Sequence, residues 1–314
     1  MKCILIIVLL LSIHSSFGQT GTSFIDSVEQ TIENIKEELI KIKDDYYIIQ
    51  PAGLAGNIGV YVGTDGVVLV DDQWSKLVPH IIELVKTVTS KPIKYIVNTH
   101  FHFDHVDGNK AFGQRNIPII AHKNLRARLS KDETINVFGS IVQRAYPPEG
   151  LPTIVFNDSM ELDDEKESIK ILHFPNAHTD GDAIVYFKNA GIYHTGDIFV
   201  TYGLPFIDED HGGDIYGMIQ TINYLLSISN SETRFIPGHG PICTIKELVA
   251  YHKLLTSIKD QVVTMTKKGL PLDKIITGMN IDKNIGGMDR NMFITQVYRM
   301  VLKHEKINSK KKPL

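Results

Sequence analysis

The stretch Thr99-His100-Phe101-His102-Phe103-Asp104-His105 follows almost directly on the apolar run Ile93-Lys94-Tyr95-Ile96-Val97. A short β-branched and aromatic run of this kind reads as a strand, so the histidines leave a strand end. Along extended backbone, side chains two apart share a face, and His100 and His102 can present two imidazoles to one metal ion. Asp104 and His105 fall beyond the strand, where a turning loop can aim them at a second ion. A phenylalanine at each intervening position predicts a dry, packed surround. Three histidines and an aspartate within six residues have the density of a metal site rather than of scattered structural histidines.

Three more pieces follow, each at a predicted strand end: Ala177-His178-Thr179-Asp180-Gly181-Asp182, His194-Thr195-Gly196-Asp197 and Pro237-Gly238-His239-Gly240. Taken singly, a Gly-Asp pair marks a turn and a Gly-His-Gly marks a loop. Beside the first motif they read as further ligands, because strand-to-loop transitions hold side chains rigidly and leave the site open.

Around these pieces strands lead in each half of the chain and helices are interspersed. Ile25, Val28, Ile32, Ile35, Leu39 and Ile42 recur at three- or four-residue steps and predict an amphipathic N-terminal helix within residues 19–45. Asn57–Val62 and Val67–Val70 flank Thr64-Asp65-Gly66, a hairpin signal. Helices are predicted over Leu77–Val88, Ile215–Ile228, Ile245–Lys267 and Phe293–His304. Strands are predicted over Ile117–Ala121, Ile169–Phe174, Ala183–Phe187 and Gly191–His194. This order fits an α/β (α+β) protein with two sheets face to face and helices outside.

Composition narrows the function. The chain has 314 residues, 43% hydrophobic and 22% charged, ample for a sizeable core. Lys2, the apolar run Ile4–Ile13 and Ser16-Phe17-Gly18 read as a signal peptide of residues 1–18, cleaved before Gln19, which predicts a secreted or periplasmic protein with no stable membrane anchor. Its removal takes the net charge from −3 to −4, since Lys2 is its one charged residue, and a mildly acidic chain has no electrostatic case for nucleic acid. The partner expected is a small-molecule substrate. Of two cysteines, Cys3 leaves with the signal and Cys243 remains, so any metal site is built from His, Asp and Glu. The end, residues 306–314 with Lys310-Lys311-Lys312, reads as a solvated basic tail. His122, His173 and His194 are expected in the core or behind ligands, His80, His252 and His304 on helices, and His211 as an ordinary loop histidine.

The order His-x-His-x-Asp-His, then His, Asp and His resembles the metallo-β-lactamase superfamily, from about Tyr46 to about Tyr251 within a domain of residues 46–305. The resemblance implies an αβ/βα four-layer sandwich with two metal ions, zinc above all, in a groove along one edge. It implies that the first ion takes His100, His102 and His178, the second Asp104, His105 and His239, and that Asp197 bridges both. Asp71, closing the Val67–Asp71 strand, looks like the family's structural aspartate beneath the histidine loop. The implied reaction is attack by a metal-activated hydroxide on an acyl carbon, with Asp104 orienting it and passing its proton to the leaving group.

Details of the motif set separate branches of the family. One branch carries cysteine at the place of Asp197 and another has no ligand there. Asp197 instead matches glyoxalase II-like thioesterases and lactonases. The export signal fits a periplasmic lactamase-like enzyme better, and Asp71-Asp72-Gln73-Trp74 looks like the Asp-x-x-Trp segment of true β-lactamases, whose Trp lines the substrate pocket. A half-buried loop aromatic is the other reading of Trp74. The expected activity is therefore opening of an acyl C–N or C–O bond, in a β-lactam-like amide, lactone or ester. Its alternatives are a thioesterase and a persulfide dioxygenase-type oxidoreductase holding a single iron. A nuclease, a flavodiiron protein and a non-catalytic binding protein fit less well: export and acidity oppose the first, no chain is left for a flavin domain, and all seven ligands are present.

Overall fold

The computed structural model describes residue 32 and residues 35–311, except 54 and 138. The expected signal peptide and cleavage site lie outside the described residues. The chain folds as two compact units, one formed by residues up to Ile120 with Arg128–Ile154, the other by Ala121–Ala127 with the residues from Val155 on.

In the first unit, a seven-stranded sheet has the order β1-β2-β3-β4-β5-β6-β9. Its strands are β1 (Glu37–Lys43), β2 (Tyr46–Pro51), β3 (Ile58–Val62), β4 (Val67–Val70), β5 (Ile93–Val97), β6 (Ile119–His122) and, after the hairpin β7 (Glu133–Asn136) and β8 (Ser140–Gln143), β9 (Ile154–Phe156). Over Glu37–Lys43, β1 corrects the expected N-terminal helix; Ile32 is helical, and the rest of that expectation before residue 35 lies outside the described residues. The Ile40, Ile42 and Lys41, Lys43 alternation has a period of two, and Asp45 adopts the left-handed conformation (φ 66°) that turns the chain back for β1 to pair with β2. Pairing along a whole strand outweighs a helical spacing that only Leu39 and Ile42 carry within it. The hairpin predicted at Thr64-Asp65-Gly66 is present, with Val62 opposite Val67.

From β4 the sheet turns parallel. The helix Val78–Lys86 crosses from β4 to β5, and short helices at Phe103–Val106 and Asn109–Gly113 lead on to β6. Every residue of β3 and β4 is buried, and Val60, Leu69, Ile81, Val85, Ile96, Phe112 and Ile119 pack into one core. At about 25 cal/mol per Å² of apolar surface, each such side chain contributes roughly 1.5–3 kcal/mol. The register places Val70 opposite Val97, and Asp71 N–H donates to the Val97 carbonyl at 2.8 Å. The chain segments after β4 and β5 therefore emerge side by side at the carboxyl ends of parallel strands, where open α/β sheets place their ligands.

In the second unit a five-stranded sheet runs β10 (Ser159–Asp163), β11 (Ser168–His173), β12 (Ala183–Phe187), β13 (Ile192–His194) and β14 (Arg234–Ile236). All neighbours are antiparallel except β13 and β14, which are joined through the helix Ile215–Ile228. Helix Ile245–Lys267 starts on a capping box, with Thr244 N–H donating to the Glu247 carboxylate at 2.9 Å, and buries Leu248, Tyr251, Leu255, Ile258 and Val262 at helical spacing. The last helix, Arg290–Lys311, runs through most of the expected tail. Isoleucine and lysine are tolerated in helices, and no proline interrupts before Pro313. Among the described residues no helix is long and apolar enough to cross a membrane. His194 pairs with Ile236 across β13 and β14, and His173 with Ala183 across β11 and β12. The loops carrying His178, Asp197 and His239 therefore all leave the same end of this sheet.

Candidate metal centre

In the first unit, His100, Phe101 and His102 lie in a loop beyond β5, not in extended strand, and His105 sits on the short helix Phe103–Val106. The side chains still converge: the rings of His100 and His102 meet edge-on with centroids 4.8 Å apart, and those of His100 and His105 are 4.3 Å apart. Phe101 is buried as expected, and the Gln143 amide at the end of β8 donates to its carbonyl at 2.8 Å, tying down the peptide between the two histidines.

Asp71 holds this loop from beneath. It is fully buried with φ 65°, and its carboxylate accepts Thr99 N–H at 2.7 Å, the Thr99 hydroxyl at 2.7 Å and His105 Nδ1–H at 2.9 Å. Because the Thr99 hydroxyl hydrogen points at Asp71, its oxygen accepts from His100 Nδ1, 3.0 Å away. Nδ1 is thus the protonated nitrogen in both rings, and Nε2 keeps its lone pair. His105 Nε2 lies 3.6 Å from Asp104 Oδ2. Gly56 packs against the His105 ring so closely that a Cβ there would lie 2.3 Å from Cε1.

The second unit repeats the arrangement. His178 Nδ1 donates to the Phe206 carbonyl at 2.9 Å, which again leaves Nε2 as the available nitrogen. The buried Asp182 carboxylate accepts His178 N–H at 2.6 Å and the Thr179 N–H and hydroxyl, fixing the loop. Burial pushes the Asp182 carboxyl up to about 8, against the pull of those donors. The two oxygens of Asp197 face different rings, Oδ2 lying 3.9 Å from His178 Nε2 and Oδ1 3.5 Å from His239 Nε2. A Cβ on Gly238 would fall 1.9 Å from Asp197 Oδ1, so only glycine allows this approach.

Among the described residues, three groups have ligand atoms within 4.8 Å of one another and could hold an ion: His100, His102 and His178; His100, His105 and Asp197; and Asp104, His105 and His239. The donor set fits divalent metal. Nitrogen–oxygen separations of 3.5–3.9 Å are too long for hydrogen bonds. They are near the spacing of about 3.3 Å between two ligands each about 2.0–2.1 Å from one tetrahedral ion.

Trp74 is 3% exposed and packs in the core of the first unit, its ring 5.3 Å from that of Phe103, which leaves it little surface to offer a substrate. Sequence reasoning passed over Asp182, Gln143, Gly56 and Gly238 as supports, although Asp182 and Gly238 stand inside the quoted motifs. His211, expected as an ordinary loop histidine, is buried, with Nδ1 bonded to Asp208 at 2.7 Å. His122, buried, and His173, half-buried, stack face to face at 3.6 Å.

Comparison with known proteins gives the class. The sequence pattern of the metallo-beta-lactamase superfamily matches residues 51–239, and the chain belongs to that superfamily. It is similar to a probable metallo-hydrolase of Methanocaldococcus jannaschii, 27% identical over 195 residues that span 60% of this chain and 90% of that one. It is also similar to a hydroxyacylglutathione hydrolase of Pelagibacter ubique, 28% identical over 47% of this chain and 52% of that one. Among solved structures, a metallo-beta-lactamase from Pontibacter korlensis superposes with a TM-score of 0.57 at 17% identity, covering 70% of this chain and 99% of its own. A sec-alkylsulfatase from Pseudomonas sp. superposes with a TM-score of 0.65 at 14% identity, covering 88% of this chain and 52% of its own. The chain thus spans about half the length of the hydroxyacylglutathione hydrolase and of the alkylsulfatase. The fold is the α/β fold of metallo-β-lactamases, and the protein is a metal-dependent hydrolase.

Proposed function

We propose that the chain is an exported dinuclear zinc hydrolase that opens an acyl C–N or C–O bond in a β-lactam-like amide, lactone or ester. His100, His102 and His178 take the first ion, Asp104, His105 and His239 the second, and Asp197 both. One observation carries this reading: the two oxygens of Asp197 are turned to different imidazoles, His178 and His239, each at ligand–ligand spacing. Imidazole with carboxylate suits zinc, and among the described residues the candidate groups contain no cysteine to favour a softer ion.

Bound there, the ions would supply Lewis acidity and lower the pKa of a water from 15.7 to about 7. The protein's own work is orientation and proton handling. Asp71 and the Phe206 carbonyl keep the His105 and His178 rings in the tautomer with Nε2 available. Asp104, whose side chain is 17% exposed against 9% for Asp197, is the better placed to reach solvent. Its carboxylate orients the attacking water, accepts the proton and delivers it to the leaving atom.

A thioester is the second reading, because Asp197 stands where the mixed-site lactamases carry cysteine and because the hydroxyacylglutathione hydrolase is among the relatives. Purified protein offered β-lactams, lactones, carboxylic esters, thioesters and alkyl sulfate esters decides between them. Turnover of a lactam, lactone or ester above the others supports the main reading. Preference for the thioester moves the assignment to the second, and turnover of the sulfate ester alone overturns both.

A further inference from the structure

The last helix reaches the peptide run that holds His178. Gln296, 5% exposed, donates from Nε2 to the Ile207 carbonyl at 2.5 Å. Ile207 stands between two residues that each grip His178: the Phe206 carbonyl accepts His178 Nδ1–H at 2.9 Å, and Asp208 N–H donates to the His178 carbonyl at 2.9 Å. The run is fitted closely to its target. The Asp180 N–H donates to the His211 carbonyl at 2.8 Å, and a Cβ on Gly213 would lie 2.2 Å from the His178 oxygen. Two further links from the helix are more open to water: Arg299 pairs with Glu209, and His304 Nε2 bonds Asp214 Oδ2 at 2.9 Å. Exposed pairs of this kind contribute little.

Gln296 is the buried link, and it carries a cost. Its Oε1 is buried without a hydrogen-bond partner, a desolvation penalty that a hydrocarbon of the same size would avoid. What the amide gains for that penalty is one bond, to the peptide between the two grips on His178. We propose that Gln296 is a positioning residue for the metal centre, fixing the Phe206–Asp208 run and through it the orientation and tautomer of the His178 imidazole. The inference rests on His178 being a metal ligand.

The test compares wild type, His178→Ala and Gln296→Met, which keeps the side chain's length and removes the donor. Zinc affinity is measured by chelator competition on the full-length protein, alongside the thermal midpoint of the metal-free form. His178→Ala should weaken zinc by about 100-fold or more, and Gln296→Met by about 10-fold, the range seen for groups that orient ligands. The metal-free midpoint of Gln296→Met should fall by no more than a few degrees. Weaker zinc binding in His178→Ala with an unchanged constant in Gln296→Met overturns the inference and leaves the ligand assignment standing. An unchanged constant in both removes the ligand assignment and the inference with it. Should Gln296→Met fail to fold, Gln296→Leu replaces it. The 15N spectrum of histidine-labelled, metal-free wild type gives a check independent of any Gln296 variant: His178 should be protonated at Nδ1, and protonation at Nε2 instead overturns the inference.

Discussion

Asp71 and His105 are both buried, and the carboxylate accepts the Nδ1–H of the ring at 2.9 Å while also accepting two donors from Thr99. The bond joins the end of one parallel strand to the short helix beyond its neighbour. Asp71→Asn turns one oxygen into an amide nitrogen, which faces a donor where it should face an acceptor. Zinc affinity is expected to fall by about 10- to 100-fold. Asp71→Ala strands the donors altogether, at about 1–3 kcal/mol for each left unsatisfied, and is expected to lower thermal stability as well. Chelator competition and thermal melts check both, and wild-type affinity in Asp71→Asn would remove the aspartate's role.

Asp197 is where the proposed ligand set is most exposed to test. Asp197→Ala should disturb the Asp104, His105 and His239 site most, since the other keeps three imidazoles. Turnover should fall by orders of magnitude rather than by a factor of two. Asp197→Cys should retain zinc without the bridge and raise any lactamase activity relative to ester or thioester hydrolysis, because thiolate is the softer ligand. Two tightly bound ions and near-normal turnover in Asp197→Ala would remove the bridging role from Asp197.

Gly238→Ala tests the same carboxylate without touching it. A methyl group there would lie 1.9 Å from Asp197 Oδ1 and within 2.8 Å of the Gly196–Asp197 backbone, so the carboxylate and the peptide that carries it must both shift. Zinc content should drop although every ligand is still present. An alanine variant with full zinc content would show that the carboxylate is free to move.

His122 is pushed down to about 4, first by burial and then by the neighbouring His173, itself held below the ordinary histidine value by burial. Between about 4 and the ordinary 6.5, the unfolded chain binds more protons at His122 than the folded one. Stability from this group is therefore complete above about 6.5 and is lost as pH falls toward 4. Melts of metal-free protein over that range should show a falling midpoint, with a shallower slope in His122→Phe, which keeps a ring stacked on His173. Equal slopes would contradict the assignment.

Cys243 is buried, burial pushes its thiol up to about 12, and it is expected to act neither as nucleophile nor as ligand. Cys243→Ser should keep metal content and turnover within a few-fold of wild type, and loss of an ion would refute this.

Sequence carried the helices Ile215–Ile228 and Ile245–Lys267 to their observed ends, because long amphipathic stretches with a cap or turn at each border leave little choice. It misread β1, where Leu39 and Ile42 satisfy helical spacing while Ile40 and Ile42 satisfy strand spacing, and only pairing with β2 decides. His100 and His102 do converge, but through a loop held by Asp71 and Gln143 rather than through strand alternation. Trp74 was open to two readings because a tryptophan beside a motif serves a core or a pocket equally well until its neighbours are known. The supports of His178 were illegible for a different reason. A backbone carbonyl exists at every residue, and those of Phe206 and Ile207 acquire meaning only through donors 28 and 89 positions away.

Elemental analysis of purified, active protein tests the dinuclear zinc centre itself. Close to two zinc ions per chain are expected, falling in His178→Ala and in Asp197→Ala. One iron per chain would instead make the protein the oxidoreductase, and an active protein without bound metal would rule the metal centre out.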